Sequence, residues 1–177
     1  RSITNASYKF FSSFNKGGDL EDLPEYSFNT SKITLAFDDF FSSFNEYGKI
    51  QTLPAFSFDL SNVSWVKSDF FSSFNKEGSI RSLPEGSFNL SNIHLVKKNF
   101  FTSFNEGGEI KELPDLSFDT SQIEIVEQNF FAFFNKRGKI RKLPYGSFKL
   151  SKIQNWSENF FMGFNHGGNL QSLPEYS

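Results

Sequence analysis

The sequence predicts an α/β repeat solenoid of six coils, and three observations in one register predict it. The segment Phe-Phe-x-x-Phe-Asn begins at Phe10, Phe40, Phe70, Phe100, Phe130 and Phe160. Leu-Pro-x-x-Ser begins at Leu23, Leu53, Leu83, Leu113, Leu143 and Leu173, and glycine recurs at Gly18, Gly48, Gly78, Gly108, Gly138 and Gly168. Every interval is 30 residues, with no insertion or deletion across 177. Several independent columns in step through six copies mark a repeat array. One 30-residue unit buries too little surface to fold alone, so neighbouring units share a core and residues 1–177 form a single repeat domain.

The unit 38–67 serves as the template. Asp39 precedes Phe40, Phe41 and Phe44, an i, i+1, i+4 spacing that puts three rings on one side of a short helix with Asp39 as N-cap. Asn45 and Gly48 end that helix, the glycine supplying a positive φ. Lys49–Leu53 follows as a strand with Ile50 and Leu53 inward, closed by Pro54, which cannot donate to a ladder. After a turn anchored by Phe58, the segment Asn62–Val66 is either a second strand or a 3₁₀ turn. Strands of successive coils stack in parallel. Helices about 10 Å across, facing strands about 4.8 Å apart, would curve the array with the strands inside.

Composition narrows the function. Hydrophobic residues make up 37% and charged residues 21%, with a formal net charge of −2, so no global attraction to nucleic acid or acidic membranes is expected. No apolar run approaches the ~20 residues of a membrane-spanning helix. The 26 phenylalanines make aromatic burial the main stabilising term, at roughly 1.5–3 kcal/mol per buried ring. Cysteine is absent, which excludes disulfides and thiol chemistry but leaves the compartment open. The chain opens and closes within a unit, so a longer parent is expected, and its uncapped coils invite end-to-end association.

Catalysis finds no support in the residues. His94 and His166 occupy unrelated columns, against both a nucleophile–base pair and a histidine metal site, and no cofactor is implied. Asp59, Asn89 and Asp119 read as turn residues rather than general acids. The column Asn15, Asn45, Asn75, Asn105, Asn135 and Asn165 reads first as a structural ladder of buried amides and second as a ligand-facing row. Asn-x-Ser sequons at Asn5, Asn29, Asn62, Asn89 and Asn155 follow from repeating turn chemistry.

Binding chemistry is expected where the units differ. The fourth unit carries Glu106, Glu109, Glu112 and Asp115, and the fifth Lys136, Arg137, Lys139, Arg141, Lys142 and then Tyr145. One reading is a charged partner footprint with Arg141 and Tyr145 as anchors. The other is that Glu109, Glu112, Lys139 and Lys142 pair across adjacent coils, each exposed pair contributing ~0–1 kcal/mol. The column Tyr26, Phe56, Gly86, Leu116, Gly146 and Tyr176 is either an exposed aromatic stripe or padding for a turn.

The aligned units, best seen from Ser87 to Pro114, and the segment Phe118-Asp119-Thr120-Ser121-Gln122-Ile123 resemble the BspA-like leucine-rich-repeat surface proteins of bacteria. The resemblance spans all six copies. It implies an LRR-like solenoid, export to a bacterial cell surface, and adhesion to protein or glycan on a host or neighbouring cell. The unit is longer than the commonest repeats of that family, and Pro24 and Glu25 stand where its strand would continue. A structural spacer that projects another domain is the competing expectation.

Overall fold

A computed structural model describes residues 5, 6, 8–25, 27, 28, 30–55, 57–85, 87–115 and 117–173. The chain winds into stacked coils of 30 residues. Five two-residue strands, β1 (Asn5–Ala6), β2 (Leu35–Ala36), β3 (Trp65–Val66), β4 (Leu95–Val96) and β5 (Ile125–Val126), form one parallel sheet in chain order. Register advances by one whole unit at each step, with Trp65 opposite Leu95 and Leu95 opposite Ile125. The strands thus fall within the second extended segment of the unit. A turn precedes each of β2 to β5, closed by bonds such as Val63 N–H to the Leu60 carbonyl at 2.8 Å.

The helix expected from Phe40 to Asn45 does not form, and no helix occurs among the described residues. Two interleaved bond sets replace it. Odd residues donate to the following coil, as Phe41 N–H does to the Phe70 carbonyl and Ser43 N–H to the Ser72 carbonyl, at 2.9 and 2.8 Å. Even residues close turns three residues back, such as Phe44 N–H to the Phe41 carbonyl at 3.2 Å. The segment is therefore a run of turns stacked as a parallel ladder. Every fourth residue of it is left-handed: Asp39, Ser43 and Tyr47 have φ of 58°, 55° and 55°. Asp39 is accordingly no N-cap but a left-handed turn residue, a conformation Asp and Asn tolerate better than most.

Ring packing explains this choice. The same three phenylalanine columns, with Phe58 and its equivalents, form four stacks along the axis. Phe41 and Phe71 lie 5.4 Å apart and 4° from parallel, and Phe71 meets Phe88 edge-on at 4.8 Å and 87°. Both are favoured aromatic geometries. Stacked rings demand a rise of about one strand spacing, ~4.8 Å. A helix about 10 Å across cannot repeat at that rise. With no helix among the described residues, no wide helical layer is there to curve the array around its strands.

The strand expected at Lys49–Leu53 is only partly realised. Gln51 N–H bonds the Glu21 carbonyl at 2.9 Å and Arg81 N–H the Gln51 carbonyl at 3.1 Å. Regular pairing among the described residues stops at isolated parallel bridges such as Ser82 to Glu112 and Lys142 to Ser172. Ile50, Ile80, Ile110 and Ile140 are fully buried, and Leu53, Leu83, Leu113 and Leu143 nearly so. Beyond each Leu-Pro, a serine closes the turn: the Ser87 hydroxyl donates to the Pro84 carbonyl at 2.7 Å.

Candidate functional site

Inward chemistry is consumed by packing. Asn75 shows how: its amide nitrogen donates to Ile80 C=O at 3.2 Å and to Asn105 Oδ1 at 3.1 Å. Its oxygen accepts from Ile80 N–H at 3.2 Å and from the Asn45 amide at 3.1 Å. The ladder runs unbroken from Asn15 to Asn165, and the interior members are buried. Such saturation leaves an interior asparagine nothing to offer a ligand.

The glycine column serves this ladder by close approach. A Cβ on Gly78 would lie 2.2 Å from the Asn45 carbonyl oxygen and 2.4 Å from Asn75 Oδ1. The positive φ expected of this column belongs to the residue before it, at Tyr47, Glu77, Gly107 and Arg137. Asp59, Asn89 and Asp119 each accept a hydrogen bond from the backbone two residues on, at 2.9, 3.1 and 3.0 Å. These are Asx turns. Of the column Tyr26, Phe56, Gly86, Leu116, Gly146 and Tyr176, only Gly146 lies among the described residues, buried with φ 72°.

Outward side chains sort by column into paired and unpaired charges. Lys16, Glu46, Lys76, Glu106 and Lys136 occupy one column and alternate in sign. Lys16 meets Glu46 at 2.9 Å, while Glu106 meets Lys76 at 3.7 Å and Lys136 at 3.1 Å. Burial by itself would raise the Glu106 carboxyl. The Ser103 hydroxyl and the two lysines outweigh it and hold the group below the usual glutamate range. Glu46 is held low in the same way, against burial, by Lys16, Ser43 and Lys76.

The expected binding residues are divided by this sorting. Arg137 reaches Glu77 at 3.3 Å and Glu106 at 3.6 Å, and Lys139 reaches Glu109 at 2.6 Å. Arg141 and Lys142 are exposed and have no ion pair among the described residues. Together with Glu112, Asp115 and Gln171 they border a shallow groove that runs across the fourth, fifth and sixth coils and is lined also by Leu113, Leu143 and Pro144. Tyr145 stands outside it, 66% exposed.

Reading by unit missed one arrangement that the axial columns display. Arg81, Lys111 and Arg141 share a column in three consecutive coils, all exposed. Lys111 N–H donates to the Arg81 carbonyl at 3.1 Å and Arg141 N–H to the Lys111 carbonyl at 3.2 Å. The backbone thus fixes the three side chains one above another. The signal was present in the 30-residue alignment but lies across the units rather than along them.

Neither histidine joins a cluster. His94 Nδ1 is 3.7 Å from Glu124, and His166 lies at the end of the alternating charge column. No group of three His, Cys, Asp or Glu able to hold a metal occurs among the described residues, nor does any helix long and apolar enough to cross a membrane. No protein-family model, curated protein or solved structure matches this chain.

Proposed function

We propose that this chain is a non-catalytic interaction module, adhesive in character, that binds protein or glycan through the variable outward columns of the solenoid. One observation carries the reading. Residues that recur in every coil are occupied by packing, ring stacking and the amide ladder, so only the columns that vary are left to contact a partner. A bacterial cell surface is the proposed setting, on the resemblance to BspA-like repeats.

A spacer that binds nothing is the second reading, and it draws support from the ion pairs of Lys136, Arg137 and Lys139 with acids of preceding coils. The deciding experiment screens the purified chain against extracellular-matrix proteins and a glycan array, with Lys139→Gln/Arg141→Gln/Lys142→Gln as control. A specific partner supports the module, and its loss in the variant locates the face. Silence on both arrays with a well-folded chain selects the spacer.

A further inference from the structure

We infer that Asp39 and Asp69 form a proton-sharing carboxyl pair, a pH-sensitive clasp between the second and third coils that closes as pH falls. The inference is independent of the interaction-module reading. It starts from a second polar column, Lys9, Asp39, Asp69, Asn99, Asn129 and Asn159, at the entrance to each run of stacked turns. All six residues are left-handed, with φ between 54° and 65°. The backbone holds them in step: Asp39 N–H donates to the Ser68 carbonyl at 3.0 Å and Asp69 N–H to the Lys98 carbonyl at 2.9 Å. The same backbone conformation in the same register sends one side chain per coil in the same direction.

Hydrogen bonds in this column run one way. Asn129 donates its amide to Asn99 Oδ1 at 2.9 Å, and Asn99 donates to Asp69 Oδ1 at 3.0 Å. Each rung thus gives a donor to the coil before it and an acceptor to the coil after, and Asn129 Oδ1 is buried with no hydrogen-bond partner. The next donation along the row falls to Asp69, toward Asp39. An ionised carboxylate has no hydrogen to give, whereas a protonated one does. A proton on the second oxygen of Asp69 lets it bond the Asp39 carboxylate as an amide would, and it removes the repulsion of two like charges in adjacent rungs.

The surroundings agree with a proton on Asp69. Burial, with the charges of Asp39 and Asp38, raises its carboxyl against the Asn99 bond and the charge of Lys98. Asp38 is itself committed elsewhere: it accepts from Ser68 N–H at 2.9 Å and lies 4.0 Å from Lys67 Nζ, which also meets the Tyr8 hydroxyl at 3.1 Å. Lys9 occupies the rung before Asp39 and places a cation next in line to the accepting carboxylate. A proton held more readily in the folded chain strengthens the fold as pH falls through the raised value. Its loss toward neutral pH leaves two facing charges and loosens the joint.

The test is a carbon-detected NMR titration of the aspartate carboxyls of the whole chain, joined to a thermal-unfolding cycle of Asp39→Asn, Asp69→Asn and the double variant. Asparagine already occupies this column in three coils, so the variants fold. In the wild type the carboxyl carbons of Asp39 and Asp69 report the same two titration steps. In Asp39→Asn the Asp69 carboxyl titrates in one step, at lower pH. At neutral pH each single variant melts higher than wild type, and the double variant gains less than the sum, because either substitution alone removes the repulsion. In mild acid the gains shrink and become additive. Asp38→Asn, which removes a neighbouring charge outside the column, leaves the two shared steps in place.

A single Asp69 step that does not move in Asp39→Asn, or additive melting gains at neutral pH, overturns the pair and leaves Asp69 an isolated buried acid. Shared steps that Asp38→Asn also abolishes overturn the column as their source.

Discussion

Replacing Asn75 by alanine tests the amide ladder as the internal spine of the solenoid. The substitution removes four hydrogen bonds, two to Ile80 and one each to Asn45 and Asn105. The neighbouring asparagines keep other partners: the Asn45 amide still reaches Ile50 C=O at 3.2 Å, and Asn105 Oδ1 still accepts from Ile110 N–H at 3.4 Å. Ile80 does not. Its N–H and C=O are bonded to Asn75 alone among the described residues, and the residue is fully buried. Each buried backbone group left without a partner costs about 1–3 kcal/mol, so the loss is roughly 2–6 kcal/mol. Asn15→Ala provides the contrast. It frees Leu20, which is 42% exposed and accessible to water, and costs about 0.5–1.5 kcal/mol. Urea unfolding followed by circular dichroism gives both values, and hydrogen exchange at the Ile80 amide reports the break locally. The reasoning is refuted if Asn75→Ala destabilises no more than Asn15→Ala, or if the Ile80 amide stays protected.

Four further outcomes are expected. Gly78→Ala forces a Cβ to 2.2 Å from a carbonyl oxygen and lowers stability by about 1–3 kcal/mol or more, measurable in the same unfolding assay. Tyr47→Gly relieves a left-handed residue at φ 55°, in a column where other coils already carry Gly17, Gly107 and Gly167. The gain is about 1 kcal/mol or less, seen as a slightly higher melting temperature. Phe88→Ala empties a site ringed by Phe58, Phe71, Phe74, Phe104 and Phe118 and costs about 3–5 kcal/mol, the unfolding midpoint again being the readout. Asp69 responds to pH: burial, with the charge of Asp39 adding to it, raises its carboxyl above the usual aspartate range against the opposing Asn99 bond. A raised acid binds its proton more readily folded than unfolded, so the ionised group destabilises the fold at neutral pH and the effect fades as pH falls through the raised value. Asp69→Asn therefore raises the melting temperature at neutral pH, with a gain that disappears in acid. Glu46 and Glu106 act in the opposite sense: their lowered carboxyls contribute stability above the usual glutamate value, lost as pH falls through their folded values.

What the sequence determined by itself was the period, and with it the distribution of residues between inside and outside. Thirty-residue columns identified the phenylalanines, Ile50 and Leu53 as core, the asparagines as a ladder and Asp59 as a turn residue, because a column that cannot vary in a stacked array is one that touches its own copies. What only the tertiary structure decided was the path of the backbone between those anchors. The spacing of Phe40, Phe41 and Phe44 fits one face of a helix, yet it fits equally a run of turns with left-handed residues at Asp39, Ser43 and Tyr47. No local signal separates the two, since the choice depends on rings of the next coil stacking at 5.1–5.4 Å, a rise that helices side by side cannot match. Charge pairing was legible in part: the Lys139–Glu109 pair was one of the alternatives offered by the aligned units, whereas the reach of Arg137 to Glu77, two coils away, was not. Lys136, Arg137 and Lys139 form a basic run along the chain, but their partners Glu106, Glu77 and Glu109 lie one or two coils away. Only stacking at one coil per strand spacing brings those acids within reach, and that same stacking sets Arg81, Lys111 and Arg141 in one column.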